Sequence, residues 1–178
     1  MLRVIGADRR QGAGTSAMMR AEVTVSDPTV ELLLARSEVE RLQSRYADVV
    51  TRRAWPELID LFEPDAPIVV DTVTRAPIHL TGPVELGEFI GGAIERFDFF
   101  SFTILNAVSD ADPDSGEGTG RIHLCEVRHE AGAGWSRAFG RYEDRYRRTG
   151  GGWRIAERHY RSLGRETPES GTETFPAA

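Results

Sequence analysis

Residues 119–162 read TGRIHLCEVRHEAGAGWSRAFGRYEDRYRRTGGGWRIAERHYRS, and this stretch decides the fold. Side-chain character alternates with period two in three runs, at about 119–130, 135–148 and 152–162. Gly132 and Gly134 punctuate the first junction, and Gly150-Gly151-Gly152 the second. Three long strands joined by hairpins are predicted. A fourth strand precedes them, where Phe100, Phe102 and Ile104 alternate with Ser101, Thr103 and Leu105, and it continues to about Val108. A loop is predicted over 110–118.

Upstream the period changes. Asp27 is a suitable N-cap, Pro28 suits the first helical position and Glu31 the first turn. Leu34, Ala35, Val39, Leu42, Tyr46, Val49 and Val50 then recur at helical spacing, which predicts an amphipathic helix to about Arg52. Trp55, Leu58, Ile59 and Phe62 mark a short second helix, stopped by Pro64. Residues 68–71 and 78–80 read as a pair of short strands. Gly82-Pro83 opens a third helix with an apolar face of Leu86, Phe89, Ile90, Ala93, Ile94 and Phe97. Helices first and hairpin-linked strands last indicate an α+β fold rather than βαβ units.

The chain has 178 residues, 40% of them apolar and 28% charged, enough for one domain with its own core. That domain is expected over residues 26–164. Residues 1–25 lack periodicity and residues 165–178 are rich in Thr, Glu, Pro and Gly, so both ends are expected to be disordered. Met18 and Met19 stand just before the first structured signals, which makes an internal start there an expectation. No apolar run reaches the roughly 18 residues of a membrane span, and the amino-terminal residues lack a signal-peptide core. With the single cysteine Cys125, this favours the cytoplasm. A net charge of −6 argues against a general nucleic-acid binder.

Familiar catalytic signatures are missing. No phosphate-binding glycine loop and no nucleophile elbow occurs, so no cofactor is expected. His79, His123, His129 and His159 are too scattered to pair as metal ligands on one element. The acidic stretch Asp110 to Gly116 starts like a calcium loop, but Arg121 stands where a closing carboxylate is needed, so it reads as an acidic hairpin loop. The strand faces say more. Gly120, Ile122, Leu124, Glu126 and Arg128 share one face. Ala138, Gly140, Tyr142, Asp144 and Tyr146 share another, and Ala156, Arg158 and Tyr160 a third. If the faces rich in apolar and small residues turn inward, Glu126, Tyr142, Asp144, Arg158 and Tyr160 turn inward with them. A buried acid needs a partner, and Arg158 and Arg128 are both available. Such a set is either a structural ion-pair network or the polar end of an apolar pocket.

Several short motifs together resemble the NTF2-like superfamily in its SnoaL-like branch, over about residues 28–162. They are Arg45-Tyr46, Leu61-Phe62-Glu63-Pro64-Asp65-Ala66, Leu80-Thr81-Gly82-Pro83, Asn106, Gly140-Arg141-Tyr142-Glu143-Asp144, and Gly152-Trp153-Arg154-Ile155 with Arg158. The resemblance implies a cone, a curved antiparallel sheet wrapped around the N-terminal helices with an internal cavity. It also implies a small apolar ligand and a homodimer formed through the outer sheet face. Members include polyketide cyclases, dehydratases, isomerases and dehydrochlorinases beside non-catalytic binding proteins, so fold alone does not fix activity.

Enzymes of this kind often carry a carboxylate five or eight residues after the helix tyrosine and a His four residues before the strand Asn. Here those positions hold Thr51, Ala54 and Phe102, while Tyr46 and Asn106 match. Asp48 lies about 200° around the helix from Tyr46 and faces elsewhere. Proton abstraction needs a positioned base, which makes Glu126 or Asp144 the candidate. Tyr142 or Arg158 would stabilise a developing oxyanion. Tyr46, Trp55, Phe102, Asn106, Leu124 and Tyr160 are the expected substrate-binding residues. The expected activity is that of a cofactor-independent lyase, isomerase or cyclase acting on a small apolar carbonyl compound, and the alternative is a non-catalytic binding or dimeric interaction module.

Overall fold

Asp27 caps the first helix through a bond from Thr29 N to its carboxylate, 2.9 Å long. Helix α1 (Pro28–Arg52) ends at Arg53, whose backbone turns left-handed (φ 58°) and donates to Val49 O and Val50 O. The computed structural model describes residues 27–176. The expectations for residues 1–25, including a start at Met18 or Met19, lie outside the described residues. One face of α1, carrying Ala35, Val39, Leu42, Tyr46, Val49 and Val50, is buried. A 3₁₀ helix (Trp55–Asp60) follows, then strands β1 (Pro67–Asp71) and β2 (Ile78–Thr81) and helix α2 (Gly82–Ile94). Gly82 is required there: its φ is 71°, and a Cβ would collide with the carbonyl of Pro64. Its own N–H donates to Ala66 O at 2.8 Å, which ties the start of α2 to the turn before β1.

Four long strands complete the fold, β3 (Phe99–Asp112), β4 (Glu117–Glu130), β5 (Gly134–Thr149) and β6 (Gly152–Thr167), with a short β7 (Gly171–Thr174). The sheet order is β2-β1-β6-β5-β4-β3, with β7 also on β6. The α+β class and the helix-then-sheet order are as expected, and the curved sheet packs α1 against β3 and β6. The sheet is mixed rather than wholly antiparallel, because β1 runs parallel to β6 from Ile68 opposite Arg158 to Asp71 opposite Arg161. Short strands far apart in sequence carry no signal of direction, so periodicity could not show this.

Three further differences have physical reasons. The loop expected over 110–118 is a turn, Pro113 to Gly116, whose acids make local bonds: Asp112 accepts from Asp114 N and from the Ser115 hydroxyl, each at 2.9 Å. The domain does not stop at 164, since β6 continues to Thr167 and β7 folds back on its end. Backbone pairing holds this segment together where its polar composition suggested a loose tail. Finally, β-bulges interrupt the period of two. Leu105 is the extra residue in β3, and Ala156 and Leu163 in β6. Ile155 and Arg158 are therefore both buried, although strict alternation puts them on opposite faces.

Candidate functional site

The inner face of the sheet brings polar residues from four elements against α1. Arg158 on β6 is its centre and is 2% exposed. Its Nε donates to Asp144 Oδ1 at 2.8 Å and its Nη2 to Oδ2 at 2.6 Å, a bidentate pair. Tyr146 donates to Oδ2 at 3.0 Å, and Gln43 Nε2 on α1 donates to Tyr146 and to Ser109. Both Asp144 oxygens are thus occupied. The guanidinium sits in the corner of two nearly perpendicular rings, with its carbon 4.1 Å from the centre of Tyr46 and 3.9 Å from that of Tyr142. The two phenol oxygens are 3.2 Å apart. The remaining guanidinium nitrogen, Nη1, is buried and has no hydrogen-bond partner among the described residues.

Above this layer is a cavity of about 270 Å³. Tyr46, Phe102, Tyr142, Arg158 and Tyr160 line its inner part, and α2 contributes Leu86, Phe89 and Ile90. Glu126 and Arg128 on β4 line it as well. Arg128 Nε donates to Glu126 Oε2 at 3.0 Å, and Oε1 accepts no hydrogen bond among the described residues. Burial raises the pKa of Tyr46 and of Tyr142, and the Glu126 charge pushes both the same way. Tyr160 is pushed up to about 12 by burial and then by Glu126. Burial alone would lower the Arg158 pKa, but Asp144 overrides it and the net shift is upward. The inner part of the cavity thus presents neutral phenols and the fixed Arg158 cation, with the Glu126 carboxylate also in its lining.

The expected site residues separate into two groups. Glu126, Tyr142, Arg158, Tyr46, Phe102 and Tyr160 line the cavity. Asp144 stands behind Arg158 and does not reach it. Leu124 is fully buried in the core, and Trp55 packs on α2 beside Gly87 and Gly91. Asn106 is exposed, because the bulge at Leu105 leaves it opposite His123 on the outer face. Thr51 and Phe102, at two of the positions where the resemblance implied an acid or a His, bond to each other: Phe102 N donates to Thr51 Oγ1 at 3.0 Å. Arg75, Arg96 and Arg165 also line the cavity and were not foreseen. Two lie in connections and the third in the assumed tail, and an exposed arginine carries no periodic signal. Among the described residues, no group of three His, Cys, Asp or Glu side chains is placed to hold a metal ion. No helix there is long and apolar enough to cross a membrane.

Comparison with known structures finds the same fold repeatedly. Hexachlorocyclohexane dehydrochlorinase LinA-type3 from Novosphingobium barchaimii superposes with a TM-score of 0.68 at 15% identity, covering 84% of this chain and 99% of that one. An NTF2-like protein with a cystatin-like fold from Novosphingobium aromaticivorans gives 0.63 at 22% identity, over 78% and 91%. The Kfla4162 protein from Kribbella flavida gives 0.64 at 19%, over 75% and 94%. No curated protein sequence matches the chain. The SnoaL-like domain family model matches residues 31–159, which run from the first turn of α1 to the middle of β6. With that match over the greater part of the chain, and the fold and cavity already described, this protein belongs to the SnoaL-like family, within the NTF2-like superfamily.

Proposed function

We propose that the cavity binds a small, largely apolar compound bearing a carbonyl oxygen and converts it by cofactor-independent acid–base chemistry of the lyase or isomerase kind. The observation that carries this reading is the pair of phenols, 3.2 Å apart, and the unpartnered Nη1 of Arg158 at the inner part of the cavity. One phenol of the bonded pair keeps its O–H free, and with Nη1 it offers two donors to a carbonyl oxygen, which strengthen their hold as that oxygen gains charge. Glu126 Oε1 is the free carboxylate oxygen of the cavity and takes the proton next to that carbonyl. Asp144 serves instead to fix the Arg158 plane. The dehydrochlorinase among the structural neighbours supports a small-molecule activity for this fold, not a substrate.

The test is turnover of a panel of aryl ketones and β-hydroxy ketones by the full chain. Glu126→Gln is expected to lose about 100-fold or more in kcat, the usual contribution of a positioned base. Tyr142→Phe should lose less, because Tyr46 and Arg158 remain. Wild-type activity retained by Glu126→Gln would refute the assignment.

One observation favours a second reading, a binding protein without catalysis. The Thr51–Phe102 bond occupies the place of the acid and His that the resemblance leads one to expect. Tight binding of such ketones with no turnover by the wild-type protein would select it.

A further inference from the structure

The charges lining the cavity are unbalanced. Arg75, Arg96, Arg128, Arg158 and Arg165 line it, and Glu126 is the one acid among the described residues that does so. Arg128 is paired with Glu126 and Arg158 with Asp144. Arg96 is 3.4 Å from Glu130 and well exposed. Arg75 and Arg165 meet no carboxylate within 4.0 Å among the described residues. The whole chain carries a net charge of −6, so an excess of cations at one opening does not follow from composition.

The topology explains why these arginines share an end. Strands β1 and β6 are parallel, and their last pair is Asp71 with Arg161. Arg75 and Arg165 each lie four residues beyond that pair, so both emerge at the same end of the sheet. Arg128 is near the same end, because Arg165 pairs with Ala138 and Ala138 with Glu126. The inner part of the cavity is different. An anion beside Arg158 would also face Asp144 and Glu126, whose charges repel it. The buried Nη1 therefore calls for a neutral acceptor, while the unpaired arginines at the rim call for an anion.

We infer that the ligand is an amphipathic keto acid, its carboxylate held by Arg75 and Arg165 at the rim and its carbonyl oxygen by Arg158 Nη1 and the tyrosine pair within. Its apolar body lies against Leu86, Phe89 and Ile90 of α2. On β5, Ala138 (opposite Arg165) stands four residues from Tyr142, about 13 Å at the ordinary strand rise. The reach of the arginine side chains shortens that span, so a chain of several methylenes between the two groups fits. This inference rests on the reading of the cavity as a small-molecule site and adds the class of molecule.

The test measures binding of three compounds to the full chain by calorimetry: 6-oxo-6-phenylhexanoate, its methyl ester, and 6-phenylhexanoate, which lacks the ketone. The keto acid should bind about tenfold or more tighter than either of the others, and added salt should narrow its lead over the ester. Arg75→Gln/Arg165→Gln should weaken the acid to the level of the ester, with ester binding changed less than about twofold. Equal binding of acid and ester, no binding of any of the three, or a tight acid indifferent to the double variant would each overturn it. The outcome is separable from the acid–base reading. An acid that binds on these arginines and is never converted counts against catalysis and for the keto-acid site.

Discussion

Glu126 and Asp144 are the two acids that strand alternation turns inward, and their surroundings give them different work. Asp144 is 3% exposed, and Arg158 and Tyr146 fill both of its oxygens. Glu126 shares one oxygen with Arg128 and keeps the other toward the cavity. Removing Asp144 leaves a buried, unpaired guanidinium. Asp144→Ala is therefore expected to cost about 3–5 kcal/mol of folding stability in urea unfolding. Glu126→Gln keeps an acceptor for Arg128 and should cost about 1 kcal/mol. Equal costs would mean that Asp144 is not the support of Arg158. The sequence showed that both acids need partners but offered Arg128 and Arg158 to each. The choice is made by strand register, which sets Asp144 directly opposite Arg158.

At the scale of elements, the long strands and both α-helices were legible because each sustains its period over many residues. Their irregularities were not. The bulges at Leu105 and Ala156 each add one residue, which no composition marks, and they decide that Asn106 faces out and Ile155 faces in. Glycine positions within strands were equally silent, yet two of them shape the interior. A Cβ at Gly120 would meet the Tyr146 hydroxyl at 2.5 Å, and one at Gly140 would overlap the ring of Tyr160. The missing side chain on β5 lets the Tyr160 ring lie across the strand and form the cavity wall. Because that ring can swing aside, Gly140→Ala should fold, with a loss of about 1–3 kcal/mol from overpacking. The displaced ring should intrude on the cavity, so ligand affinity is expected to fall as well. Unchanged affinity and melting temperature would show that Tyr160 does not depend on this glycine.

The whole molecule has a property that no single element shows: helix and sheet bury three of its tyrosines and half-bury the fourth, Tyr160. The chain contains four, Tyr46 on α1, Tyr142 and Tyr146 on β5 and Tyr160 on β6, and their order in the chain gives no hint that they share one interior. Burial raises the pKa of all four, and nearby charge adds to it, from Glu126 for three and from Asp144 for Tyr146. Tyr160 is pushed up to about 12 against an ordinary 10. A raised acid pKa means that the folded state favours the neutral phenol. The resulting stability is complete below about pH 10, where phenols in the unfolded chain are still protonated, and is lost as pH rises toward the folded values. Two consequences follow for the tyrosinate absorbance near 295 nm. The native protein should remain silent at about pH 10, where the urea-unfolded chain is half ionised. On further titration the signal should appear above pH 10, Tyr160 at about 12, together with the loss of structure seen by circular dichroism, because neutral phenols are part of what the fold encloses. A folded protein that ionises one or more tyrosines with a midpoint near 10 would contradict the closed interior, and the phenol pair proposed to hold the carbonyl would lose its basis.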